Sequence, residues 1–392
     1  MKAYVATNPD GQAITYVDRK RYLWLSSVLF PLQPFIGIAL HAFTGQQAWL
    51  LLPILLSYGV LTVSDWLVGE DQTNPPEAFV DQLEQDRYYR WLTYLVVPLH
   101  FASLVGATWW AGTQSLDWWA YLGLALVAGM TSGLGINTGH ELGHKNSRIE
   151  RWLGKIVLAV PAYGHFTIEH NRGHHRDVAT PEDPASSRMG ESVYRFARRE
   201  MPGAFRRAWE FESDRLQRRG RSAWHPDNNI LQAMAITLAL QLGLLIAFGI
   251  TLLPFLLIHN AFAWWQLTSA NYIEHYGLLR RQRENGRFEP CAPHHSWNSN
   301  HTLSNLVLFH LQRHSDHHTH PLRRYQSLRH FDDLPTLPNG YPGCYLMAWV
   351  PPLWFRVMNP RLLALSHVKG DLTRVNIEPS ARADIEARYS AA

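Results

Sequence analysis

The sequence predicts an all-α integral membrane protein, with about six transmembrane helices and a histidine-rich helical cap on the cytoplasmic side. Three observations predict this class. Only 17% of the 392 residues are charged, and the charges are unevenly spread. Apolar runs of about 20 residues, the length that crosses a bilayer, recur along the chain. The 21 histidines include several clusters at or just beyond the ends of those runs.

The transmembrane helices are predicted from the apolar runs. Inside lipid a helix satisfies its own backbone hydrogen bonds, and the alternating pattern of membrane strands is absent from this sequence. The first four runs cover residues 22–41, 48–67, 91–111 and 118–138. A longer run at 230–270 fits two crossings that separate near Gly249. The amphipathic run 151–160 is too short to cross, so it is predicted to lie at the membrane interface.

Basic residues predict how the helices are oriented. The segment 145–225 has 16 Lys+Arg against 10 Asp+Glu, and four basic residues precede the first apolar run. The short turns 44–47 and 112–117 contain no Lys or Arg. Positive residues favour the cytoplasmic side, so both termini and both long polar segments are predicted to be cytoplasmic.

The chain is therefore predicted to have four segments. They are an N-terminal arm with four transmembrane helices (1–139), a cytoplasmic segment (140–228), two further transmembrane helices (229–271) and a C-terminal cytoplasmic segment (272–392). The formal charge of +4 is concentrated beside the membrane helices, and no motif that reads nucleic acid is present. Membrane lipid or an acidic protein explains that charge better than nucleic acid does. Two cysteines without a CxxC pair argue against a thiolate metal site or a disulfide framework.

Histidines are grouped in four motifs: NTGHELGHK at 137–145, EHNRGHH at 169–175, NYIEHYG at 271–277 and LQRHSDHH at 311–318. Side chains four apart on a helix lie about 40° apart, so His170 and His174 are predicted to aim at one point. Adjacent side chains diverge by about 100°, so His175 is predicted to reach a second metal. The candidate ligands of this di-metal site are His140, His144, His170, His174, His175, His275, His314, His317 and His318. Imidazole suits zinc, copper, iron and nickel alike, so the spacing does not choose the metal.

Several polar residues beside these histidines are candidates for orienting them. As helix neighbours they are predicted to point away from the ions and to accept the distal imidazole N–H of ligands from other segments. The alternative is a solvated or salt-bridged surface. The candidates are Glu141, Glu169, Glu274, Asp316 and Asn137, with Asn271 as a weaker one. His294 and His295 are predicted to be solvated, and His310 is not predicted to be a ligand.

The extended motifs resemble the histidine boxes of the membrane di-iron desaturase and hydroxylase superfamily. Within it they closely resemble bacterial membrane alkane 1-monooxygenases, and the similarity includes DRKRYLW at 18–24, RYQSLR at 324–329 and PTLPNGYPG at 335–343. The resemblance implies a non-haem centre of two iron ions held by the nine histidines. It also implies that dioxygen is used to convert linear alkanes to primary alcohols, in the bacterial inner membrane.

The same resemblance implies a protein partner. The family receives electrons from rubredoxin, a small acidic protein that is itself reduced by rubredoxin reductase. Basic residues of the cytoplasmic segments are predicted to include the surface on which it docks. The candidates are Arg172, Arg176, Arg280, Arg281 and Arg313.

Three other functions stay open at this point. A fatty-acyl desaturase or hydroxylase has the same histidine boxes and differs in its products. An intramembrane zinc protease would use His140 and His144 as ligands and Glu141 as general base, but it leaves the other boxes unexplained. A metal transporter would need ionisable groups in the middle of the membrane, and the apolar runs contain few.

Overall fold

The computed structural model describes residues 2–7 and 11–389, and it is mostly helical. Six helices among the described residues are long and apolar enough to cross a membrane, which confirms the predicted fold class. In chain order the longer helices are α1 (Leu25–Thr44), α2 (Gln47–Val68), α3 (Arg87–Thr113), α4 (Trp118–Gly143), α5 (Arg148–Ala159), α6 (Val193–Gln217), α7 (Asn229–Phe248), α8 (Ile250–His275), α9 (Tyr341–Ala348) and α10 (Pro351–Leu363). The candidate crossings are α1 to α4, α7 and α8.

The ends of these helices follow from local sequence. The Asp86 side chain accepts a hydrogen bond from the backbone N–H of Tyr88 at 2.9 Å and so caps the start of α3. Asn228 caps α7 in the same way. Between α7 and α8, Gly249 has a φ of 100°, a left-handed conformation that glycine adopts without steric cost. The break predicted near Gly249 is therefore confirmed.

Helix α8 packs along α4, and this pair determines where two of the histidine motifs lie. The helices approach closely because Gly129 on α4 has no side chain. A Cβ atom there would lie 2.7 Å from the backbone oxygen of His259 on α8. His140 near the end of α4 and His275 at the end of α8 are thereby brought to the same end of the bundle.

The ends of the described chain lie at that same end of the bundle. A hairpin of β1 (Ala3–Thr7) and β2 (Ala13–Val17) packs against Phe79, in the connection between α2 and α3. Near the C-terminus, Val375 forms a bridge with Leu278, just after α8. Both ends therefore lie beside the histidine motifs. Their location in the cytoplasm stays a prediction from the basic residues.

The last histidine motif is positioned by a tight turn. A short helix, Thr302–Val307, is followed by Phe309 and His310 with left-handed φ values of 50° and 53°, and the helix His314–Thr319 then returns to the bundle. The imidazole of His310 is buried against Trp24, with ring centroids 4.6 Å apart. His310 therefore supports the turn and is not part of the histidine clusters.

Candidate metal centre

The nine candidate histidines form two adjacent groups. Within each group, one ring nitrogen of every histidine lies within 4.8 Å of the corresponding atoms of the others. The first group contains His140, His144, His170, His175 and His317. The second group contains His174, His275, His314 and His318.

The nitrogen atoms are arranged as cation ligands. The Nε2 atoms of His140 and His317 are 2.9 Å apart in the first group, and those of His314 and His318 are 2.9 Å apart in the second. The Nε2 atom of His144 is buried and has no hydrogen-bond partner in the part of the chain that the structure describes. A neutral imidazole has one proton for two nitrogens, so this many converging nitrogens cannot all be satisfied by one another. A cation in each group would satisfy them.

The distribution of the second motif between the groups differs from the prediction. Residues His170–His174 form a π-helix, whose turn is wider than that of an α-helix. The Nε2 atoms of His170 and His175 are therefore 3.0 Å apart, and His174 belongs to the second group. The prediction that His170 and His174 aim at one point is wrong, and so is the prediction that His175 turns to a second metal. The divergence of the adjacent pair is confirmed.

Burial keeps most of these imidazoles neutral. Desolvation, followed by the proximity of the other histidines, holds the pKa of six of them well below 6.5; they are His144, His170, His175, His314, His317 and His318. Neutral imidazole is the form that binds a metal. At neutral pH the two groups therefore present lone pairs to a cation.

His174 is held by a carboxylate that the sequence analysis did not identify. Its Nδ1 lies 2.8 Å from Oδ2 of Asp183, which also accepts a hydrogen bond from Ser186. Burial lowers the pKa of His174, but Asp183 more than offsets this, so that the pKa is raised overall. Asp183 fixes the imidazole with Nε2 toward the second group. It follows His174 by nine residues, and the sequence analysis considered only polar neighbours.

Three of the predicted orienting carboxylates have other partners. Glu141 forms an ion pair with Lys145 at 3.1 Å. Glu169 forms one with Arg207, and Asp316 forms one with Arg323 at 2.7 Å. None of the three accepts a hydrogen bond from a candidate ligand among the described residues. The orienting role predicted for them is wrong, and the alternative of salt-bridged carboxylates describes them better.

Glu274 differs from these three because it faces the histidines. Its Oε2 lies 3.4 Å from Nε2 of His314, and its Oε1 accepts a hydrogen bond from the hydroxyl of Tyr341 at 2.8 Å. The prediction that Glu274 points away from the site is therefore wrong. Asn137 also has a different partner, since its side chain donates to the backbone oxygen of Leu308 at 2.8 Å.

A cavity leads from the histidines into the helix bundle. The space between its walls is about 820 Å³, counting the part that is open to the outside. His140, His170 and His314 line one part of it. Most of the remaining wall is apolar, from residues such as Phe30, Leu61, Met130, Leu134, Phe166, Leu267, Ala270 and Leu311.

Comparisons with known proteins agree with this arrangement. Residues 116–357 match the family model described as fatty acid desaturase. The alkane 1-monooxygenase 1 of Alcanivorax borkumensis is 55% identical over 99% of this chain and 96% of its own length. The chain belongs to the alkane 1-monooxygenase family. Within that family, the alkane 1-monooxygenase of Pseudomonas putida is 58% identical (96% of this chain, 93% of the relative) and that of Ectopseudomonas oleovorans 59% (94% and 91%).

Membership of the alkane 1-monooxygenase family confirms the resemblance that the histidine motifs indicated. The chain is accordingly an enzyme. The names of these relatives support neither the intramembrane zinc protease nor the metal transporter.

A third cluster, Glu289 with His294 and His295, lies outside the two groups of this alkane 1-monooxygenase family member. His295 is buried, so the prediction that it is solvated is wrong. Its Nδ1 accepts a hydrogen bond from the backbone N–H of Ala292 at 2.9 Å, which leaves the proton on Nε2. That Nε2 lies 3.4 Å from a carboxylate oxygen of Glu289. Among the described residues this Nε2 has no hydrogen-bond partner, so its contact with Glu289 is a loose one.

The predicted docking arginines of this alkane 1-monooxygenase family member fall into two classes. Arg313 is 2% exposed and donates to the backbone oxygen of Leu328, and Arg280 is buried and donates to that of Glu289. The prediction that these two belong to an exposed docking surface is wrong. Arg172, Arg176 and Arg281 are exposed.

Proposed function

We propose that this protein hydroxylates the terminal carbon of linear alkanes at a di-iron centre held by the nine histidines. One alkane, one dioxygen, two electrons and two protons give one primary alcohol and one water. The observation that carries the proposal is the position of two histidine groups at one end of an apolar cavity inside a membrane helix bundle. The names of the relatives supply the substrate class.

The first group would hold one iron ion and the second group the other. Imidazole is a suitable ligand for iron, although not for iron alone. Most of these imidazoles are neutral before a metal binds. Bound iron would supply the redox chemistry with oxygen that an unactivated C–H bond requires, because such a bond offers neither an acidic proton nor a leaving group. Asp183 would keep Nε2 of His174 directed at the second ion.

The cavity explains how an alkane is held. Met130 and Leu134 line it from α4, and Leu267 and Ala270 line it from α8. These side chains make only apolar contacts, so they orient a chain molecule by its shape and leave one end beside the histidines. The same side chains exclude water from the reacting carbon. Affinity gained from burial is small, since the alkane leaves a bilayer that is already apolar.

Glu274 is the residue best placed to handle protons. Its carboxylate is fixed by the Tyr341 hydroxyl on one oxygen, and the other oxygen faces His314 inside the cavity. Reduction of dioxygen to water and alcohol consumes two protons. A carboxyl group at this position can hold a proton on Oε2 and release it toward the reacting atoms.

Electrons would come from rubredoxin, reduced in turn by rubredoxin reductase, and the exposed Arg176 and Arg281 would contribute to its docking surface. We place this surface, with both chain ends, in the cytoplasm and the helices in the bacterial inner membrane, because basic residues predominate at that end. Reversing both charges (Arg176→Glu and Arg281→Glu) should weaken rubredoxin-dependent turnover and its dependence on salt. The control substitution Arg219→Glu changes an exposed residue just after α6. It should leave the turnover and its dependence on salt unchanged.

The test of the main proposal is metal analysis of the purified protein together with alkane-dependent oxygen consumption. Two irons per chain, oxygen uptake on addition of n-octane and 1-octanol as product are expected. One zinc per chain without oxygen uptake would contradict the proposal. Parallel assays with fatty-acyl substrates test the alternative of an acyl desaturase or hydroxylase, which would give unsaturated or hydroxylated acyl products and no alcohol from octane.

A further inference from the structure

A second cleft lies beside the metal centre, at the level where two membrane helices end. It is lined by Gly143, the last residue of α4, and by Asn229, the first residue of α7. Helix α5, which follows α4 and packs against α3, α4 and α7, forms one wall. Since two candidate crossings end at this cleft, it lies at the boundary between membrane and water.

The wall of the cleft is strongly basic. Arg148, Arg151, Lys155 and Arg172 line it, and no carboxylate of the described residues does. The guanidinium groups of Arg148 and Arg172 form no hydrogen bond or ion pair with another of the described residues. The wall therefore carries positive charge that the described part of the chain leaves uncompensated.

The carboxylates nearest to this wall are already paired. Glu150 lies on α5 but pairs with Arg324, at 2.8 Å, and does not line the cleft. Glu212 approaches from α6, but it is buried and accepts hydrogen bonds from Arg215, at 2.9 Å, and from Asn229. The positive charge of the cleft consequently remains available to an external anion.

One residue that lines the cleft, Asn171, has a hydrogen-bond acceptor without a partner among the described residues. The Asn171 side chain donates from Nδ2 to the backbone oxygen of Gly143 at 3.0 Å, which fixes the orientation of its amide. The Oδ1 atom of Asn171 is buried, and none of the described residues donates a hydrogen bond to it. Such an atom accepts a hydrogen bond from a hydroxyl group and would not bind a phosphate oxygen. A ligand with both a phosphate and a hydroxyl group matches the two features together.

The outer face of α5 fits a lipid. Ile149 and Trp152 are exposed on it, at 65% and 40%. The ammonium group of Lys155 lies 4.1 Å from the centre of the Trp152 ring. A tryptophan with one apolar side and one polar neighbour is typical of the membrane interface. An acyl chain would lie against these side chains while the headgroup occupies the cleft.

We propose that this cleft binds the phosphoglycerol headgroup of an anionic phospholipid. The phosphate lies among Arg148, Arg151 and Arg172, and a glycerol hydroxyl donates to Oδ1 of Asn171. Bound lipid would brace the end of α4 against the second histidine motif, because Gly143 ends α4 and Asn171 belongs to that motif. The lipid is therefore expected to stabilise the folded protein independently of substrate turnover.

The experiment uses the full-length protein in nanodiscs of phosphatidylcholine with increasing phosphatidylglycerol. Native mass spectrometry counts retained lipid, and thermal unfolding measures stabilisation. Phosphatidylglycerol should be retained and should raise the unfolding temperature, more than phosphatidic acid does, since phosphatidic acid lacks the glycerol hydroxyls. In the variant Arg148→Gln/Arg172→Gln the apparent affinity should fall roughly fivefold for each charge removed.

The matched control is Arg206→Gln/Arg219→Gln, which removes the same charge from exposed positions outside the cleft. It should retain the lipid as the unmodified protein does. Equal retention of phosphatidylglycerol by the cleft variant and the control would overturn the proposal. So would an equal stabilisation by inorganic phosphate, which would indicate a soluble-anion site. In another outcome, the cleft variant keeps its lipid but loses turnover with an acidic electron-transfer protein. That result would identify the cleft as a protein-docking surface and would also overturn the proposal.

Discussion

The imidazole of His174 is joined to the carboxylate of Asp183 by a hydrogen bond of 2.8 Å from Nδ1. Its Nε2 has no hydrogen-bond partner within residues 2–7 and 11–389, and its ring centre lies 4.9 Å from those of His275 and His318. Asp183 is itself fixed by Arg207 at 3.0 Å. The position of one candidate ligand in the second group therefore depends on a residue that touches no ion.

Replacing Asp183 with asparagine should weaken the binding of metal to the second group. The amide keeps the size of the side chain but removes the charge that favours a proton on Nδ1 of His174. Substitutions of this kind cost roughly tenfold to hundredfold in metal affinity. Iron retention against a competing chelator measures the effect, with Asp214→Asn on the exposed face of α6 as the control. Unchanged retention in Asp183→Asn would show that the hydrogen bond does not orient the ligand.

His174 and His175 are adjacent in the chain but belong to different groups. We expect His174→Ala and His175→Ala each to lose about one iron of the two, and to lose different ones, because each substitution removes a ligand from one group. Iron content with Mössbauer spectra of the iron that remains distinguishes the two sites. His225→Ala, in the exposed loop after α6, should keep both irons. If the two variants retained the same spectral component, the division into two groups would be incorrect.

Met130 lies in the part of the cavity far from the two histidine groups. It precedes His140 by ten residues on α4, about 15 Å along the helix axis. Met130→Phe should shorten the space for the alkane, so that kcat/KM for longer n-alkanes falls roughly tenfold, which corresponds to an overpacking cost of ~1–3 kcal/mol. Octane turnover should change little. Met234→Phe, on the exposed face of α7, is the control. An equal loss of kcat/KM for n-alkanes of all lengths would show that the alkane does not extend toward Met130.

Glu200 on α6 should make stability depend on pH. Burial raises its pKa to about 7, although hydrogen bonds from Thr268 and Asn271 oppose the shift. Between the unfolded pKa near 4.5 and the folded value, the folded state keeps a proton that the unfolded state has lost, so stability decreases as pH rises. Above pH 7 the carboxylate is charged in both states. The folded state then bears the full free-energy cost of burying that charge.

Glu200→Gln removes this cost and keeps a side chain of the same shape. The variant should therefore be more stable than the unmodified protein at pH 8, by on the order of 3 kcal/mol. The difference should shrink toward pH 5. The comparison of unfolding temperatures across this range is made against Glu210→Gln, an exposed glutamate on the same helix. A constant difference at all pH values would show that Glu200 titrates normally.

The sequence by itself determined the membrane fold and the set of nine histidines. An apolar run long enough to cross a bilayer has few alternatives to a helix, because lipid does not form hydrogen bonds with free backbone groups. The spacing of His140 and His144 also predicted correctly that both side chains point to the same group. His140 lies in the last turn of α4 and His144 directly follows that helix, so the regular helical spacing applies to the pair.

Tertiary structure alone decided how those histidines are divided and what holds them. The wider turn at His170–His174 moves His174 to the second group, and Arg207 lies directly over Gly173 in that turn, where a Cβ atom would come within 2.6 Å of its guanidinium. Local spacing carries no information about such a change of helix type. Nor does it show that Asp183 reaches His174, or that Arg313 is buried. These are contacts between segments that the chain brings together only when it folds.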